Sequence, residues 1–152
     1  MTLRPATAND QSAIRQLIKE GGINPFGLNW QRFVVVQNAD GEIVGCGQLK
    51  PHGKQTIELA SIAVTRSHRK QGIARLIIEY LKTQHAPPIW LMCGVHLESF
   101  YTSFGFVRIY QLNEMPRYFR RITRLTGIFG RFTDAPNSLA IMVWRGTFMP
   151  DQ

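Results

Sequence analysis

The densest chemistry in the sequence lies in one decapeptide, Arg66-Ser67-His68-Arg69-Lys70-Gln71-Gly72-Ile73-Ala74-Arg75. Between Leu59 and Ile78 there is no acidic residue, whereas Arg66, Arg69, Lys70 and Arg75 bring four positive charges. The stretch falls where an apolar strand pattern ends at Val64 and an amphipathic helical pattern begins at Ile73. The first N–H groups of a helix have no intrahelical partner and sit at the positive end of the macrodipole, so a turn that presents them holds phosphate. Gly72 has no Cβ to obstruct close approach, and Ala74 is small. On these residues alone two readings stay open: a phosphate-binding turn, or a glycine that eases a strand-to-helix corner beside a solvated basic face. Neither Gly-x-x-x-x-Gly-Lys-Ser/Thr nor Gly-x-Gly-x-x-Gly is present, which disfavours nucleoside triphosphate hydrolysis and dinucleotide-dependent hydride transfer.

The thiols and imidazoles offer less. Cys93 and His96 invite a nucleophile and base reading, but no third residue in the sequence orients such a pair. Cys46 and Cys93 stand far apart in apolar surroundings without the close Cys/His pairs of tetrahedral sites, so they are expected as reduced core thiols, and no metal is expected. His52, His68 and His85 fall in turn-forming stretches and are expected to be solvated.

The elements that must position the basic turn follow from periodicity. Thr2-Leu3-Arg4 reads as an opening strand; Thr7 and Asp10 have capping-box spacing ahead of a helix with Ile14, Leu17 and Ile18 on one stripe, stopped at Gly21-Gly22. Phe33-Val34-Val35-Val36, a turn at Asp40-Gly41, a returning strand from Ile43 to Leu49, a turn at Pro51-His52-Gly53 and a third strand from Thr56 to Val64 make an antiparallel meander. Ile73, Leu76, Ile77, Tyr80 and Leu81 then recur at helical spacing, and Ile89 to Cys93 reads as a buried strand. Leu97, Phe100, Tyr101 and Phe104 give a short helix ended by Gly105; Phe106 to Ile109 and Leu139 to Trp144 give the last strands. Strand, helix, strand in the second half requires at least one parallel pairing reached by a crossover, so the fold class is mixed α/β.

Composition is compatible with one domain over residues 1–152, with a basic insertion at about 111–138. Apolar types make 44% and charged types 18% of the 152 residues, so the chain is expected to fold around a core of its own. A formal net charge of +8 favours an anionic partner: a phosphate-bearing cofactor, nucleic acid or acidic lipid. No run of apolar residues is long enough to span a bilayer and the opening residues do not read as a secretory signal, so a cytoplasmic location is expected.

The order of two short motifs carries a resemblance. Arg69-Lys70-Gln71-Gly72-Ile73-Ala74 is similar to the Gln/Arg-x-x-Gly-x-Gly/Ala motif of the GNAT acetyltransferase superfamily, and Phe100-Tyr101-Thr102-Ser103-Phe104-Gly105-Phe106 resembles its Phe-Tyr-x-x-x-Gly-Phe segment. Two departures stand out: Ala74 replaces the second motif glycine, and Gly94-Val95-His96 stands where the family often has Asn. The resemblance implies a mostly antiparallel central sheet of six or seven strands with about four helices, and acetyl-CoA as cosubstrate. It further implies that the backbone of Gln71, Gly72, Ile73 and Ala74 holds the pyrophosphate, that Arg69 and Lys70 supply charge, and that the main chain of Ile62, Ala63 and Val64 pairs with the pantetheine arm. By the same resemblance Tyr101 is the candidate general acid and Glu58 the candidate base, with the alternatives that Tyr101 is a core residue on the Leu97, Phe100, Phe104 stripe and Glu58 an ordinary outward-facing strand residue. The implied activity is N-acetylation of a primary amine. A non-catalytic acyl-CoA-binding module and, less favoured, a nucleic-acid-binding domain are the alternatives.

The acceptor is an amine of unspecified identity. Arg117, Arg120, Arg121, Arg124 and Arg131 lie along a segment whose Tyr118, Phe119, Ile122, Leu125 and Phe129 fall on one helical side. A docked helix with a solvated face, a lid recruiting an acidic acceptor, and contact with an anionic membrane or nucleic acid all fit that pattern. The loop Asn24-Pro25-Phe26-Gly27-Leu28-Asn29-Trp30 brings Phe26 and Trp30, which either wall the acceptor pocket or seal the sheet. The sequence leaves the oligomeric state open; the resemblance admits a homodimer, for which the apolar C-terminal strand could supply an interface.

Overall fold

The computed structural model describes residues 1–130 and 138–147, with side chains in the helix beginning at Arg117 described as far as Leu125. Seven strands pair in the order β1-β2-β3-β4-β5-β7-β6, mostly antiparallel, with four α-helices among the described residues. Contacts divide the chain into two compact units, Met1–Lys50 with Leu59–His85, and Pro51–Glu58 with the residues from Ala86 onward.

The first unit holds β1 (Thr2–Pro5), α1 (Gln11–Glu20), β2 (Phe33–Gln37), most of β3 (Ile43–His52), the end of β4 (Thr56–Val64) and α2 (Ile73–Thr83). The expected capping box is present ahead of α1. Thr7 donates its backbone N–H to Asp10 Oδ2 at 2.7 Å and its hydroxyl at 3.1 Å, while Arg4 grips both Asp10 oxygens at 2.7 and 3.0 Å. The Arg4 guanidinium, with the Thr7 donors, holds the Asp10 carboxyl down at about 2. Ile14, Leu17 and Ile18 then bury against Phe33, Val35, Cys46 and Ala63. Trp30 packs on this cluster, as sealing the sheet requires, whereas Phe26 is 77% exposed.

α2 lies on a track of β3 that side chains would block. A Cβ on Gly45 would fall 2.7 Å from Ile73 Cγ2, and one on Gly47 would fall 2.6 Å from Ile62 Cδ1 and 2.7 Å from Ile77 Cγ2. Within β4, Ser61 adopts φ +59, a left-handed conformation that costs a non-glycine residue about 1–3 kcal/mol. Fully buried Gln48 donates to Ser61 Oγ at 2.9 Å, and the Cys46 thiol donates to Ser61 O at 3.7 Å, so this kink is pinned from β3.

The second unit contains β5 (Ile89–Gly94), α3 (Glu98–Thr102), β6 (Val107–Ile109), α4 (Arg117–Gly130) and β7 (Leu139–Trp144). The crossover predicted from the sequence ends in a parallel pairing, Glu58 opposite Trp90. β7 inserts between β5 and β6, antiparallel to both. Its two edges are therefore hydrogen-bonded within the chain. Trp90, Ile109, Met115, Phe119, Ile141 and Val143 form this unit's core. The basic segment is a helix, as its periodicity predicts, and Phe119 is fully buried; Leu125, placed on the same side of the wheel, is 59% exposed. Arg131 and the Phe129 side chain lie outside the described residues.

Candidate active site

The basic turn in the first unit has the backbone of an anion cradle. Lys70 and Gly72 are both left-handed, at φ +60 and φ +82, and α2 starts immediately after Gly72. The first bond of the helix is Leu76 N–H to Gly72 O at 3.0 Å, so the amides of Ile73, Ala74 and Arg75 precede the intrahelical ladder. Nothing lies within 4 Å of a Cβ built on Gly72, so the space over the turn is open. No acid stands in the first turn of α2, and Arg66, Arg69, Lys70 and Arg75 are exposed. Successive N–H groups in a left-handed corner at a helix start make a concavity for anions. Arg69 Nε donates to Val64 O at 3.2 Å and Gln71 Nε2 to Ser67 O at 3.3 Å, tying the turn to the end of β4. Ile62 and Val64 are half-buried, and Ala63 is buried. His68 is not simply solvated: its Nδ1 lies 3.1 Å from Thr65 Oγ1 and 2.9 Å from Ser67 Oγ.

A different kind of site sits in the second unit. Glu58 is only 6% exposed, which removes the reading of it as an outward-facing strand residue. Its Oε1 lies 3.5 Å from His52 Nε2. The expectation of a solvated His52 in a turn is also wrong, because β3 runs on through Pro51 and His52 before the chain turns. The imidazole stacks on Tyr118 with ring centroids 3.4 Å apart and 11° between planes, and Phe119 meets it edge-on. Burial and then the nearby Glu58 charge raise the Tyr118 phenol. The sequence reading missed His52 and Tyr118. One signal was available: a hairpin turning over residues 53–55 sets position 52 diagonal to position 58 on the same face.

Tyr101 lies on α3, 9% exposed, with Phe100 and Phe106 meeting its ring edge-on. Burial pushes its phenol well above the ordinary range, so it carries its proton at neutral pH. Cys93 is likewise raised, to about 11, by burial and by Glu98. A buried thiol held protonated is a poor nucleophile, and its sulfur lies 3.9 Å from that of Met142. Cys46, fully buried, is pushed up to about 12. Both cysteines are free. The turn residues and Ile62 to Val64 thus belong to the first unit, and Glu58 and Tyr101 to the second. Among the described residues no helix is long and apolar enough to cross a membrane.

Residues 29–108 match the family model described as an acetyltransferase (GNAT) domain. No curated protein matches the sequence. Among solved structures, N-acetylglutamate synthase from Neisseria gonorrhoeae, complexed with coenzyme A and N-acetyl-glutamate, is similar at TM-score 0.72 and 19% identity over 94% of this chain. The match spans only 34% of that enzyme's length. Rv2747 from Mycobacterium tuberculosis, solved in complex with CoA, is similar at TM-score 0.69 and 24% identity, over 95% of this chain and 98% of its own. Ard1 from Thermoplasma volcanium gives TM-score 0.64 at 14% identity, over 93% and 95% of the two chains. These likenesses establish the fold, and a family match over more than half the sequence establishes the membership: the chain belongs to the GNAT acetyltransferase family.

Proposed function

We propose that the protein is an N-acetyltransferase that moves the acetyl group of acetyl-CoA to a primary amine by direct attack in a ternary complex. The carrying observation is the left-handed, sterically open Gly72 at the start of α2, set among exposed cations in a chain of this family. CoA in the related solved structures supports the same cosubstrate. The backbone of Gln71, Gly72, Ile73 and Ala74 holds the pyrophosphate, Arg69 and Lys70 add charge, and the main chain of Ile62, Ala63 and Val64 lies along the pantetheine arm.

The thioester supplies an acyl carbon activated toward nucleophiles. An unperturbed amine with a pKa near 10.4 is neutral in only about one molecule in a thousand at pH 7, so a base is needed. The Glu58–His52 pair takes the amine proton as the C–N bond forms. An N–H of Ala63 or Val64 stabilises the oxyanion, and as the C–S bond breaks Tyr101 gives its proton to the departing thiolate. Two buried free thiols are consistent with a reducing, cytoplasmic setting.

Calorimetric titration with acetyl-CoA tests the reading. Wild type is expected to bind, and Arg69→Glu with Lys70→Glu to weaken binding about 100-fold, from the loss of two charge-assisted contacts. Unchanged binding by the double variant would sink it. Normal binding with no thiol release for any amine would leave a non-catalytic acyl-CoA module.

A further inference from the structure

Three cations outside the basic turn converge on a separate cleft within the second unit. Its volume is about 520 Å³, and it lies between the link joining β3 to β4 and the opening turns of α4. Small-molecule sites run to roughly 300–1,000 Å³. Lys54, Arg117 and Arg121 line it, together with His52 and Tyr118. Among the described residues, no carboxylate pairs with any of these three cations.

The arrangement is electrostatically unfavourable as it stands. Arg117, Arg120 and Arg121 crowd the start of α4, where the helix dipole is itself positive, and no acid occupies the first turn. Cations normally stabilise the opposite end of a helix. A bound anion relieves both repulsions at once, and guanidinium forks match a carboxylate in two parallel hydrogen bonds. The other wall of the cleft carries an imidazole instead of a further cation of the arginine or lysine type. His52 is on its wall, and the buried carboxylate of Glu58 lies 3.5 Å from the imidazole. Glu58 stands behind the imidazole rather than on the lining, so the pair meets the cleft through His52, a group able to accept a proton from an ammonium. A cationic rim and a proton-accepting wall together match a small amine that bears a carboxylate, and the volume admits a molecule of amino-acid size.

We infer that this cleft receives the acceptor, a small amine bearing a carboxylate, with Lys54, Arg117 and Arg121 gripping the carboxylate and the amine delivered to the His52–Glu58 pair. The inference rests on the N-acetyltransferase reading above. It is tested with matched amines that differ only by an α-carboxylate: L-lysine against cadaverine, L-tyrosine against tyramine, and L-phenylalanine against phenethylamine. Thiol release is followed for each, alongside the thermal shift each amine adds to the CoA-bound protein. For at least one pair the amino acid is expected to have a kcat/KM at least tenfold above that of its decarboxylated partner. Arg117→Glu with Arg121→Glu is expected to raise KM for that amino acid at least tenfold and abolish its thermal shift, with acetyl-CoA affinity unchanged. Both arginines are exposed, so the double variant is expected to keep its fold, which the melting curve checks.

Preference for the decarboxylated amines, turnover of none of the six, or an unaltered KM in the double variant would overturn the inference while leaving acetyl-CoA binding intact. Loss of acetyl-CoA binding by the wild type would instead overturn the underlying reading. Turnover confined to acidic peptides would also overturn it, because it would show that a macromolecule is the acceptor.

Discussion

The turn before α2 and the cluster around Glu58 are built by opposite means. The first is made of backbone: two left-handed residues and the opening amides of a helix, written in a few consecutive positions and held open to solvent. The second is made of side chains that are distant in sequence, His52 and Glu58 on adjoining strands and Tyr118 on α4, with Glu58 buried and the two rings half-buried. A backbone cradle binds by geometry that substitutions outside glycine positions barely alter, and its affinity is tuned by exposed charge. A buried side-chain cluster depends on every member, and it suits proton transfer because low dielectric strengthens each charge it contains.

That contrast is broken or sharpened most forcefully at Glu58. Glu58→Gln is expected to lower kcat by about 10²-fold or more, the usual loss when a general base is removed, with acetyl-CoA affinity unchanged. Steady-state kinetics beside calorimetry check this; a variant that loses CoA binding in step with kcat would erase the distinction between the two regions. The next effect is expected at Gly45, where Ala puts a methyl 2.7 Å from Ile73. Overpacking of this kind costs about 1–3 kcal/mol, read as a lower melting temperature, and here acetyl-CoA affinity is expected to fall as well, because Ile73 opens the helix proposed to hold the pyrophosphate. An unchanged affinity would uncouple the cradle from its bed.

The smallest effect is expected at Asp10, which belongs to neither region. Its folded value of about 2 lies below the ordinary 3.8, so its stabilisation is fully present above about pH 4 and is lost as pH falls toward 2. Asp10→Asn is expected to cost about 1–2 kcal/mol at pH 7, with the gap between variant and wild type closing in acid and activity per folded molecule unaltered. Urea melts at several pH values check the sign.

What could be read from the sequence divides along the same line. The basic turn, the amphipathic helix after it, the capping box at Thr7 and Asp10 and the parallel pairing of β4 with β5 are local or depend on chain order, and periodicity carries them. Pairing among distant strands is different. Nothing in Leu139 to Trp144 says that it enters between β5 and β6, because an apolar strand is equally apolar against any neighbour. In sequence Pro51 reads as a break, yet a strand accepts a proline where its missing N–H is not needed. That one residue hid the continuation of β3 and made His52 look solvated. A lone glutamate in an alternating strand likewise reads as an outward residue until the elements that bury it are known. Leu125 was assigned to the packed face by angle alone and is exposed, since the wheel gives direction and not depth.

The bare stretch of β3 under α2 has a consequence for how the protein tolerates change. With no methyl at positions 45 and 47, the helix has no cushion between itself and the sheet. Any displacement at those positions is passed along a stiff rod to its first amides, the same amides assigned to the pyrophosphate. Mutational drift beneath the helix is therefore expected to register as weakened cofactor capture while the fold still holds, so these two glycines act as a gauge of how much movement the transferase can absorb.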